Sequence, residues 1–462
     1  MKVFLTHGYF LNSDPREKKI MKPYPPLGLL YISAYLNENK VDNHVFDSTF
    51  SSYEQLIASI REEQPDILAI YTNLMTKLSV LQLIESSRTL LPNVKIVLGG
   101  PDVTYNVTNY LKYGADILVI GEGEQTMLEL VYCLGDPSKN LSTVDGIAYR
   151  DENGVEITTR MRQKIKSIDE LPMPNREAIN ITQYMSVWKA HHGESALNIS
   201  TQRGCPYTCK WCSTAVYGQS YRRRRPEKVV DELVWLQEKY NPDTYWFVDD
   251  VFNVSHKWLD AFVEELEARK VKIKFECITR ADRLNAHVIA QLKKAGCFRV
   301  WIGAESGSQA VIDKMDRRVS VDQVRNMIVE GKKAGLETGT FIMVGYPGET
   351  EEDILETIHH LKKSNPDHYT VTTAYPIKGT SLYNEIADKI TEEPEWNAST
   401  DRDIDFRRTF PKAFYKHAIR LISSEIRLYK HDTYDWTRVK LLLKIFLSRF
   451  IMRLYKPSPR AN

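Results

Sequence analysis

The chain has 462 residues, of which 42% are apolar and 26% charged, and its formal net charge is +2. This length allows roughly two to four domains of about 100–200 residues each, and the charge gives no indication of nucleic-acid binding. Six cysteines spread over the chain do not resemble a secreted disulfide framework. No uncharged apolar run reaches the ~18 residues of a membrane span, and Met1 leads straight into a strand without a signal peptide, so a cytoplasmic location is expected.

Residues 1–135 alternate short apolar runs with helical patterns, which predicts a Rossmann-like, doubly wound parallel sheet. Ligands of such sheets bind beyond the carboxyl ends of the strands. Glycines and polar residues stand at those ends, although none forms a dinucleotide fingerprint. The predicted strands are Lys2–Thr6, Asn43–Asp47, Ile67–Tyr71, Lys95–Leu98 and Ile117–Ile120, and the predicted helices are Leu27–Asn37, Tyr53–Glu63, Lys77–Leu90, Thr104–Tyr113 and Glu124–Cys133.

Residues 136–195 are predicted to be a linker that contains a β-hairpin. Val144–Arg150 and Val155–Thr159 flank a turn signal that ends in Gly154. The following stretch from Ile168 to Arg176 is rich in proline and poorly suited to a helix. We expect this segment to join two domains and to carry no chemistry.

Residues 196–388 contain six strand-then-helix units, which predicts a partial (β/α)6 TIM-like barrel. The active site of such a barrel lies on the loops that follow the strands. Because side chains alternate along a strand, Glu276 and Arg280 share one face, and an ionised Glu276 against the helices would cost several kcal/mol. Both are therefore expected to point into the barrel. The six predicted strands are Ala196–Thr201, Thr244–Val248, Ile273–Thr279, Arg299–Ala304, Thr338–Val344 and Tyr369–Ala374.

Three cysteines, Cys205, Cys209 and Cys212, follow the first of these strands. Thiolates select iron–sulfur clusters, zinc or cuprous copper. Zinc sites usually take four protein ligands, and no Cys or His follows at a finger-like spacing. A 4Fe–4S cluster is normally held by four thiolates, so three would leave one iron open for chemistry.

This spacing, with Trp211 between the last two cysteines, resembles the radical S-adenosylmethionine (radical SAM) superfamily. The resemblance implies a catalytic 4Fe–4S cluster on Cys205, Cys209 and Cys212, whose open iron binds the amino and carboxylate groups of S-adenosylmethionine. It also implies that Glu305 and Arg280 bind the ribose and carboxylate. The remaining residues expected at the S-adenosylmethionine site are Asp249 near the amino group, Glu276 in the lumen, and Gly345 and Pro347 in the turn at the adenine. A helix cap for Asp249 and a structural ion pair for Glu305 and Arg280 remain open alternatives.

Three segments of the first domain are similar to the cobalamin-binding domain of one large radical SAM subfamily. They are 25–31, Gly99-Gly100-Pro101 and Gly121-Glu122-Gly123-Glu124. The similarity implies a cobalamin site formed by Thr72, Asn73, Gly99, Gly100, Gly121, Glu122 and Gly123. The Asp-x-His-x-x-Gly motif of other cobalamin proteins is absent, and His7 is expected to be a hydrogen-bonding residue. Some relatives keep this fold without the cofactor.

Members with both domains most commonly methylate an unactivated carbon. In that scheme cobalamin passes on a methyl group from one S-adenosylmethionine, while a second is cleaved to the 5′-deoxyadenosyl radical. A cobalamin-dependent radical cyclase or rearrangement enzyme is the alternative, as is an enzyme that has lost cobalamin. A methylthiotransferase would need three more cysteines in the first domain, which has only Cys133. A cobalamin or metal sensor would not cleave S-adenosylmethionine. The expected partners are a small-molecule or lipid-like substrate and a reductant such as flavodoxin or ferredoxin, and no nucleic acid.

Residues 389–462 are predicted to be a helical, aromatic and basic C-terminal region. After Asp435 there is no acidic residue, whereas seven Lys and Arg occur. The basic residues fall on two sides of a helical wheel, so the pattern is not a clean amphipathic face. The region is expected either to pack against the barrel or to contact anionic lipid at a membrane surface. The run Arg222–Arg225 is interpreted as a phosphate contact or a solvated stretch.

Overall fold

The computed structural model describes residues 1–455. They form two compact units that interleave along the chain. The first contains Met1–Pro206, Ser213–Val248 and Pro394–Asp403. The second contains Tyr207–Cys212, Asp249–Glu393 and the described residues from Ile404 onward.

The first unit is built on a seven-stranded sheet in the order β2-β1-β3-β4-β5-β6-β7. The first five strands are parallel, and β6 and β7 add an antiparallel hairpin at one edge. The predicted hairpin therefore extends the sheet, with Ile147 and Tyr149 buried against it. The strands are β1 (Val3–His7), β2 (Asn43–Phe46), β3 (Ile67–Tyr71), β4 (Lys95–Gly99), β5 (Ile117–Val119), β6 (Ile147–Arg150) and β7 (Glu156–Thr158).

Helices cover both faces of this sheet, as a parallel sheet with near-continuous apolar strands requires. Alternate residues separate the two cores: Val3 and Leu5 belong to one apolar cluster and Phe4 to the other. The helices of this part are α1 (Pro15–Ile20), α2 (Leu27–Glu38), α3 (Tyr53–Glu63), α4 (Lys77–Leu90), α5 (Val107–Lys112), α6 (Gly123–Leu134) and α7 (Ile181–His192).

Helix α7 lies in the segment predicted to be a linker, and we did not predict it. Its start is capped by Asn180, whose side chain accepts from the Gln183 amide, and its end by Gly193 at φ +81°. Ile181, Tyr184 and Trp188 bury one face. The Asn180 cap and the helical spacing of the apolar residues are signals that the sequence contains. The helix was not predicted because the proline-rich stretch before it indicates a linker.

The first unit also contains the first two strands of the predicted barrel. These strands, β8 (Ala196–Ile199) and β11 (Thr244–Phe247), pair in parallel. Between them lie an antiparallel pair, β9 (Gln202–Arg203) and β10 (Arg222–Arg223), and helix α8 (Pro226–Lys239).

The second unit contains the other four predicted barrel strands, paired in parallel in the order β12-β13-β14-β15. Helices follow the strands in chain order, which confirms the predicted α/β class with parallel sheets. Its strands are β12 (Phe275–Thr279), β13 (Cys297–Glu305), β14 (Glu337–Val344), β15 (His368–Thr373), β16 (Ile390–Glu392) and β17 (Asp405–Phe406). Its helices are α9 (His256–Ala268), α10 (Ala286–Lys294), α11 (Gln309–Lys314), α12 (Val321–Lys333), α13 (Glu351–Ser364), α14 (Ser381–Ile386), α15 (Lys412–Tyr429) and α16 (Trp436–Leu454).

Within residues 1–455, every helix is too short or too polar to cross a bilayer.

Candidate functional site

Cys209 lies between two arginines in the second unit. Its Sγ atom is 3.6 Å from Nη1 of Arg280 and 3.7 Å from Nη1 of Arg317. Both arginines are buried, so water screens their charges little. The Cys209 sulfur therefore lies in a cationic environment.

Backbone and side-chain bonds hold the cysteine loop in place. The Lys210 amide donates to the carbonyl of Met315 (3.2 Å), and the Leu382 amide donates to the carbonyl of Lys210 (2.8 Å). Thr208 donates to Asp316 at 2.7 Å. The loop therefore has fixed anchors on both sides of Cys209.

Tyr207 lies directly under the guanidinium of Arg280, 3.9 Å from its ring centre. Its hydroxyl accepts from Nε of Arg283 at 2.5 Å. The guanidinium of Arg317 lies over the ring of Trp211 in the same way, 5.7 Å from the ring centre. Aromatic faces attract cations, so both rings help to orient the arginines that surround Cys209.

Cys205 belongs to the first unit, and Cys212 is exposed in the second. Gly204, just before Cys205, has φ +83°, and an added Cβ would lie 2.5 Å from the Ser220 carbonyl oxygen. Only glycine tolerates both conditions. The backbone at the entrance to the cysteine loop is thus tightly constrained.

No three Cys, His, Asp or Glu side chains within residues 1–455 are arranged to ligate a single metal ion. A four-iron cluster is larger than one ion and spaces its ligands farther apart. The donors themselves fit such a cluster, since all three are thiols and iron–sulfur clusters are held by thiolates. The cationic surroundings of Cys209 add to this fit.

Glu305 lies at the end of β13 with a left-handed backbone, φ +66°. This region is uncommon for a residue other than glycine, and such strain clusters at functional sites. Its Oε1 is 3.5 Å from Nη2 of Arg317. Burial raises the pKa of Glu305, while Arg317 and Arg280 oppose this shift. Arg280 in turn donates to the Arg317 carbonyl at 2.6 Å, so one buried network joins Glu305, both arginines and Cys209.

Glu276 is occupied elsewhere on the sheet. Its Oε2 accepts from Nη1 of Arg299 at 3.1 Å and from Nε1 of Trp301 at 2.9 Å. These are cross-strand partners on β13, so Glu276 stabilises the sheet in this structure. Asp249 is buried just beyond β11.

The turn after β14 holds a second buried carboxyl group. The Gly345 amide donates to Oε2 of Glu349 at 2.5 Å, and Oε1 of Glu349 has no hydrogen-bond partner within residues 1–455. Burial raises the pKa of Glu349 to about 8. Pro347 lies within this turn, which is closed by the Glu349 amide donating to the Tyr346 carbonyl at 3.0 Å.

The residues predicted to bind cobalamin follow neighbouring strands of the first unit. Thr72 donates its amide to the Gly99 carbonyl at 2.8 Å, and Asn73 accepts from the Thr76 amide at 3.1 Å. Gly100 has φ +114°, and an added Cβ would lie 2.2 Å from the Thr72 carbonyl oxygen. The carboxyl ends of β3 and β4 thus lie side by side at one edge of the sheet.

Glu122, at the end of β5, has a fully occupied carboxylate. It accepts from Nη1 of Arg203 (2.7 Å), from Nη1 of Arg222 (2.7 Å) and from the Ile165 amide (3.0 Å). Glu124 accepts from Nη2 of Arg203 at 2.5 Å. Gly121 and Gly123 lie on either side of Glu122, and Gly121 has φ +92°. Any contact of Glu122 with a ligand would therefore come from its backbone.

His7 uses both ring nitrogens within the fold. Nε2 lies 2.9 Å from Oδ1 of Asp47, and Nδ1 lies 2.9 Å from the Ser48 hydroxyl. Tyr184 donates to the other Asp47 oxygen at 2.6 Å. This agrees with the interpretation of His7 as a hydrogen-bonding residue.

Arg203 and Arg317 are not among the residues predicted to form the site. No local pattern marks them, because each acts through partners far along the chain. In the run Arg222–Arg225, Arg222 pairs with Glu122 and Arg224 pairs with the buried Glu232 at 2.5 Å, so these two side chains bind within the fold. Arg225 pairs with Asp169.

Two family models match the chain: the B12 binding domain over residues 18–131 and the Radical SAM superfamily over residues 199–361. An uncharacterized methyltransferase of Pyrococcus horikoshii is 29% identical over 388 residues, 82% of each chain. The anaerobic magnesium-protoporphyrin IX monomethyl ester cyclase of Rubrivivax gelatinosus is 26% identical over 401 residues, 84% of this chain and 71% of the cyclase.

Among solved structures, the cobalamin-dependent S-adenosylmethionine radical enzyme OxsB shares the fold. The two structures match with a TM-score of 0.76 at 18% sequence identity, and the match covers 100% of this chain and 74% of OxsB. The radical SAM domain implies a 4Fe–4S cluster and S-adenosylmethionine, and the B12 binding domain implies cobalamin. The chain thus carries a B12-binding domain followed by a Radical SAM domain, and it is homologous along most of its length to cobalamin-dependent radical SAM enzymes.

Proposed function

We propose that this enzyme methylates an unactivated carbon of a small-molecule or lipid-like substrate. The observation that carries the proposal is the presence of both domains in one chain that aligns along 82% of its length with a relative named a methyltransferase. The corresponding domain assignment is 1–135 for cobalamin binding, 136–195 for the linker, 196–388 for the radical SAM core and 389–462 for the C-terminal region.

Cys205, Cys209 and Cys212 are proposed to hold the 4Fe–4S cluster. The buried guanidinium groups of Arg280 and Arg317, both within 3.7 Å of Cys209 Sγ, would lie against the cluster at this ligand. A planar guanidinium also matches a carboxylate, which supports assigning Arg280 to the carboxylate of S-adenosylmethionine. Further contacts to this molecule are assigned to Asp249, Glu276, Glu305, Gly345 and Pro347.

Glu276 would have to release one of its present partners, Arg299 or Trp301, to reach a ligand. Glu305 needs no such rearrangement, since the oxygen–nitrogen distance of its ion pair with Arg317 is a long 3.5 Å. When bound, the cluster supplies the electron that cleaves S-adenosylmethionine, and cobalamin carries the methyl group.

The cobalamin site is proposed at the carboxyl ends of β3, β4 and β5, formed by Thr72, Asn73, Gly99, Gly100, Gly121, Glu122 and Gly123. Glycines there leave the backbone amides accessible to a bulky ligand. Glu122 contributes its backbone, because Arg203 and Arg222 occupy its carboxylate. His7 supplies no ligand, because Asp47 and Ser48 occupy its ring nitrogens.

Radical cyclisation is the second candidate. It is favoured by the alignment with the Rubrivivax gelatinosus cyclase over 84% of this chain. Either reaction needs a reductant such as flavodoxin or ferredoxin, and we place the enzyme in the cytoplasm with these partners.

The first test is the iron, sulfide and cobalt content of protein purified without oxygen from cobalamin-fed cells. We expect about four irons, the number in a 4Fe–4S cluster, with one cobalt per chain. Cys209→Ala should lose the iron, whereas the matched control Cys133→Ala, a buried cysteine outside the loop, should keep it. A protein with iron but no cobalt would rule out methylation through cobalamin. Zinc in place of iron would refute the whole proposal.

The second test separates methylation from cyclisation. Reduced enzyme is incubated with methyl-labelled S-adenosylmethionine and candidate substrates. Methylation consumes two S-adenosylmethionine molecules per product and yields equal amounts of S-adenosylhomocysteine and 5′-deoxyadenosine. Cyclisation yields 5′-deoxyadenosine alone and leaves the product unlabelled.

A further inference from the structure

Helix α16 (Trp436–Leu454) packs one apolar face against the preceding helix α15. The residues buried there are Leu441, Ile445, Ser448 and Met452, spaced three and four apart as one side of a helix requires. An ion pair between Arg449 and Glu425 of α15, 2.7 Å long, holds the two helices together. This contact accounts for only one side of α16.

The opposite side of α16 is also apolar, and it is exposed. We call it the outer face; it consists of Trp436, Val439, Leu442, Leu443, Phe446, Leu447, Phe450 and Leu454. Trp436, Phe446 and Leu454 are 69%, 66% and 68% exposed, and Phe450 is 53% exposed. Scattered apolar residues are common on protein surfaces, whereas a continuous exposed patch marks a binding site.

Basic residues border the outer face on both sides. Since a helix turns about 100° per residue, Lys440 and Lys444 lie beyond one edge of the face and Arg449 beyond the other, whereas Arg453 lies between Leu442 and Phe446 near that second edge. No acidic residue follows Asp435 in the sequence. Lys440, Lys444 and Arg453 make no ion pair within residues 1–455, so their charges are available to a partner. The basic residues that fall on two sides of the helical wheel thus lie near the two edges of one apolar face.

We propose that the outer face binds the surface of an anionic lipid bilayer, with α16 lying in the plane of the interface. Helices with an apolar face, flanking Lys and Arg, and Trp or Phe at the boundary have this property. The apolar side chains would enter the boundary between headgroups and acyl chains, and the basic edges would meet the lipid phosphates. The helix would lie on the membrane, as none of the helices in residues 1–455 could span it.

A second copy of the chain fits this face less well. In a two-fold symmetric dimer each patch meets itself, which would place the basic edges of the two helices beside each other. Like charges that face each other are destabilising. The absence of acidic residues after Asp435 leaves nothing on this helix to compensate them. A bilayer with anionic headgroups satisfies both the apolar face and its edges.

The test is flotation of the full-length holoenzyme with lipid vesicles. We expect binding to vesicles of phosphatidylcholine with phosphatidylglycerol, and little binding to phosphatidylcholine alone. Each basic residue near an anionic surface should strengthen binding by about fivefold, so Lys440→Gln/Lys444→Gln should weaken it by about 30-fold. Phe446→Ser/Phe450→Ser should weaken binding to the same vesicles by at least tenfold, because each CH₂ group buried in the membrane contributes about 0.8 kcal/mol. High salt should weaken wild-type binding as the Debye length falls from about 10 Å at 0.1 M to about 3 Å at 1 M.

The matched controls are Met161→Ser, which removes another exposed apolar side chain, and Lys139→Gln, which removes another exposed charge. Both should bind vesicles like the wild type. Equal binding to neutral and anionic vesicles, no binding at all, or unchanged binding of either double variant would overturn the proposal. So would dimerisation, measured by sedimentation, that Phe446→Ser/Phe450→Ser abolishes. Iron content and circular dichroism show whether each variant is folded.

Discussion

Arg203→Met should strongly destabilise the first unit. Arg203 lies two residues before Cys205 and is buried with Glu122 and Glu124, whose exposed fractions are 5% and 3%. The substitution removes the cation between two carboxylates. Glu122 keeps Arg222 and the Ile165 amide, but Glu124 loses Arg203, its one side-chain partner within residues 1–455. Breaking a buried ion pair from one side costs about 3–5 kcal/mol.

The measurement is urea-induced unfolding followed by far-UV circular dichroism. For an m value of about 3 kcal/mol per M, the midpoint should fall by about 1 M or more. The matched control Arg160→Met breaks an ion pair with Asp145 in which the arginine side chain is 82% exposed. It should lower the free energy of unfolding by at most about 1 kcal/mol. The double variant Arg203→Met/Glu124→Gln should recover much of the loss, because the stranded negative charge is then gone. Equal midpoints for Arg203→Met and Arg160→Met would refute this reasoning.

Two further predictions concern Glu349 and the glycines of the first unit. Because burial raises the pKa of Glu349 to about 8 in the folded protein, above its unfolded value of about 4.3, the folded state binds more protons between these values. Its contribution to stability therefore falls as pH rises from about 4.3 to 8, by at most ~1.4 kcal/mol per pH unit. In Glu349→Gln the urea midpoint of unfolding should depend less on pH over this range than in the wild type. An equal dependence of the midpoint on pH in both proteins would contradict the assignment. Gly100→Ala, which would press a Cβ to 2.2 Å from the Thr72 carbonyl oxygen, should destabilise the fold by more than about 1 kcal/mol and lower the bound cobalt. Gly28→Ala, where an added Cβ meets nothing within 4 Å inside helix α2, should instead stabilise by about 0.5–1 kcal/mol; a loss of cobalt in this control would mean that the space is filled by ligand.

Local signals in the sequence predicted most of the elements. Strand Ile67–Tyr71 and helices Tyr53–Glu63 and Lys77–Leu90 agree residue for residue with the structure. Tyr53–Glu63 begins with a capping box at Ser52 and Gln55, a signal contained within a few residues. Apolar runs of strand length and helical periodicity act over similarly short distances. For this reason the α/β class and the order of elements could be derived without coordinates.

The charged network could not be derived in this way. Arg203 meets Glu122 and Glu124 across about eighty positions of sequence, and Arg317 meets Cys209 across more than a hundred. The residues next to an arginine in the sequence do not indicate which distant group its guanidinium will contact. The prediction for Glu276 shows the same limit, because alternation identified its face of the strand but not the Arg299 and Trp301 that occupy its carboxylate.

Residue type and spacing were enough to identify the chemistry available to this protein: three thiols in one loop, glycines at the ends of parallel strands, and basic residues in an apolar C-terminal helix. None of these features requires knowledge of distant contacts. Which charged groups pair within the fold, and which remain for a ligand, depends on the folded structure. It placed two arginines at Cys209, closed His7 and Glu122 to other partners, and turned one side of α16 inward and the other outward. The physical reason is that desolvation and ion pairing depend on every group that packs nearby, wherever it stands in the chain.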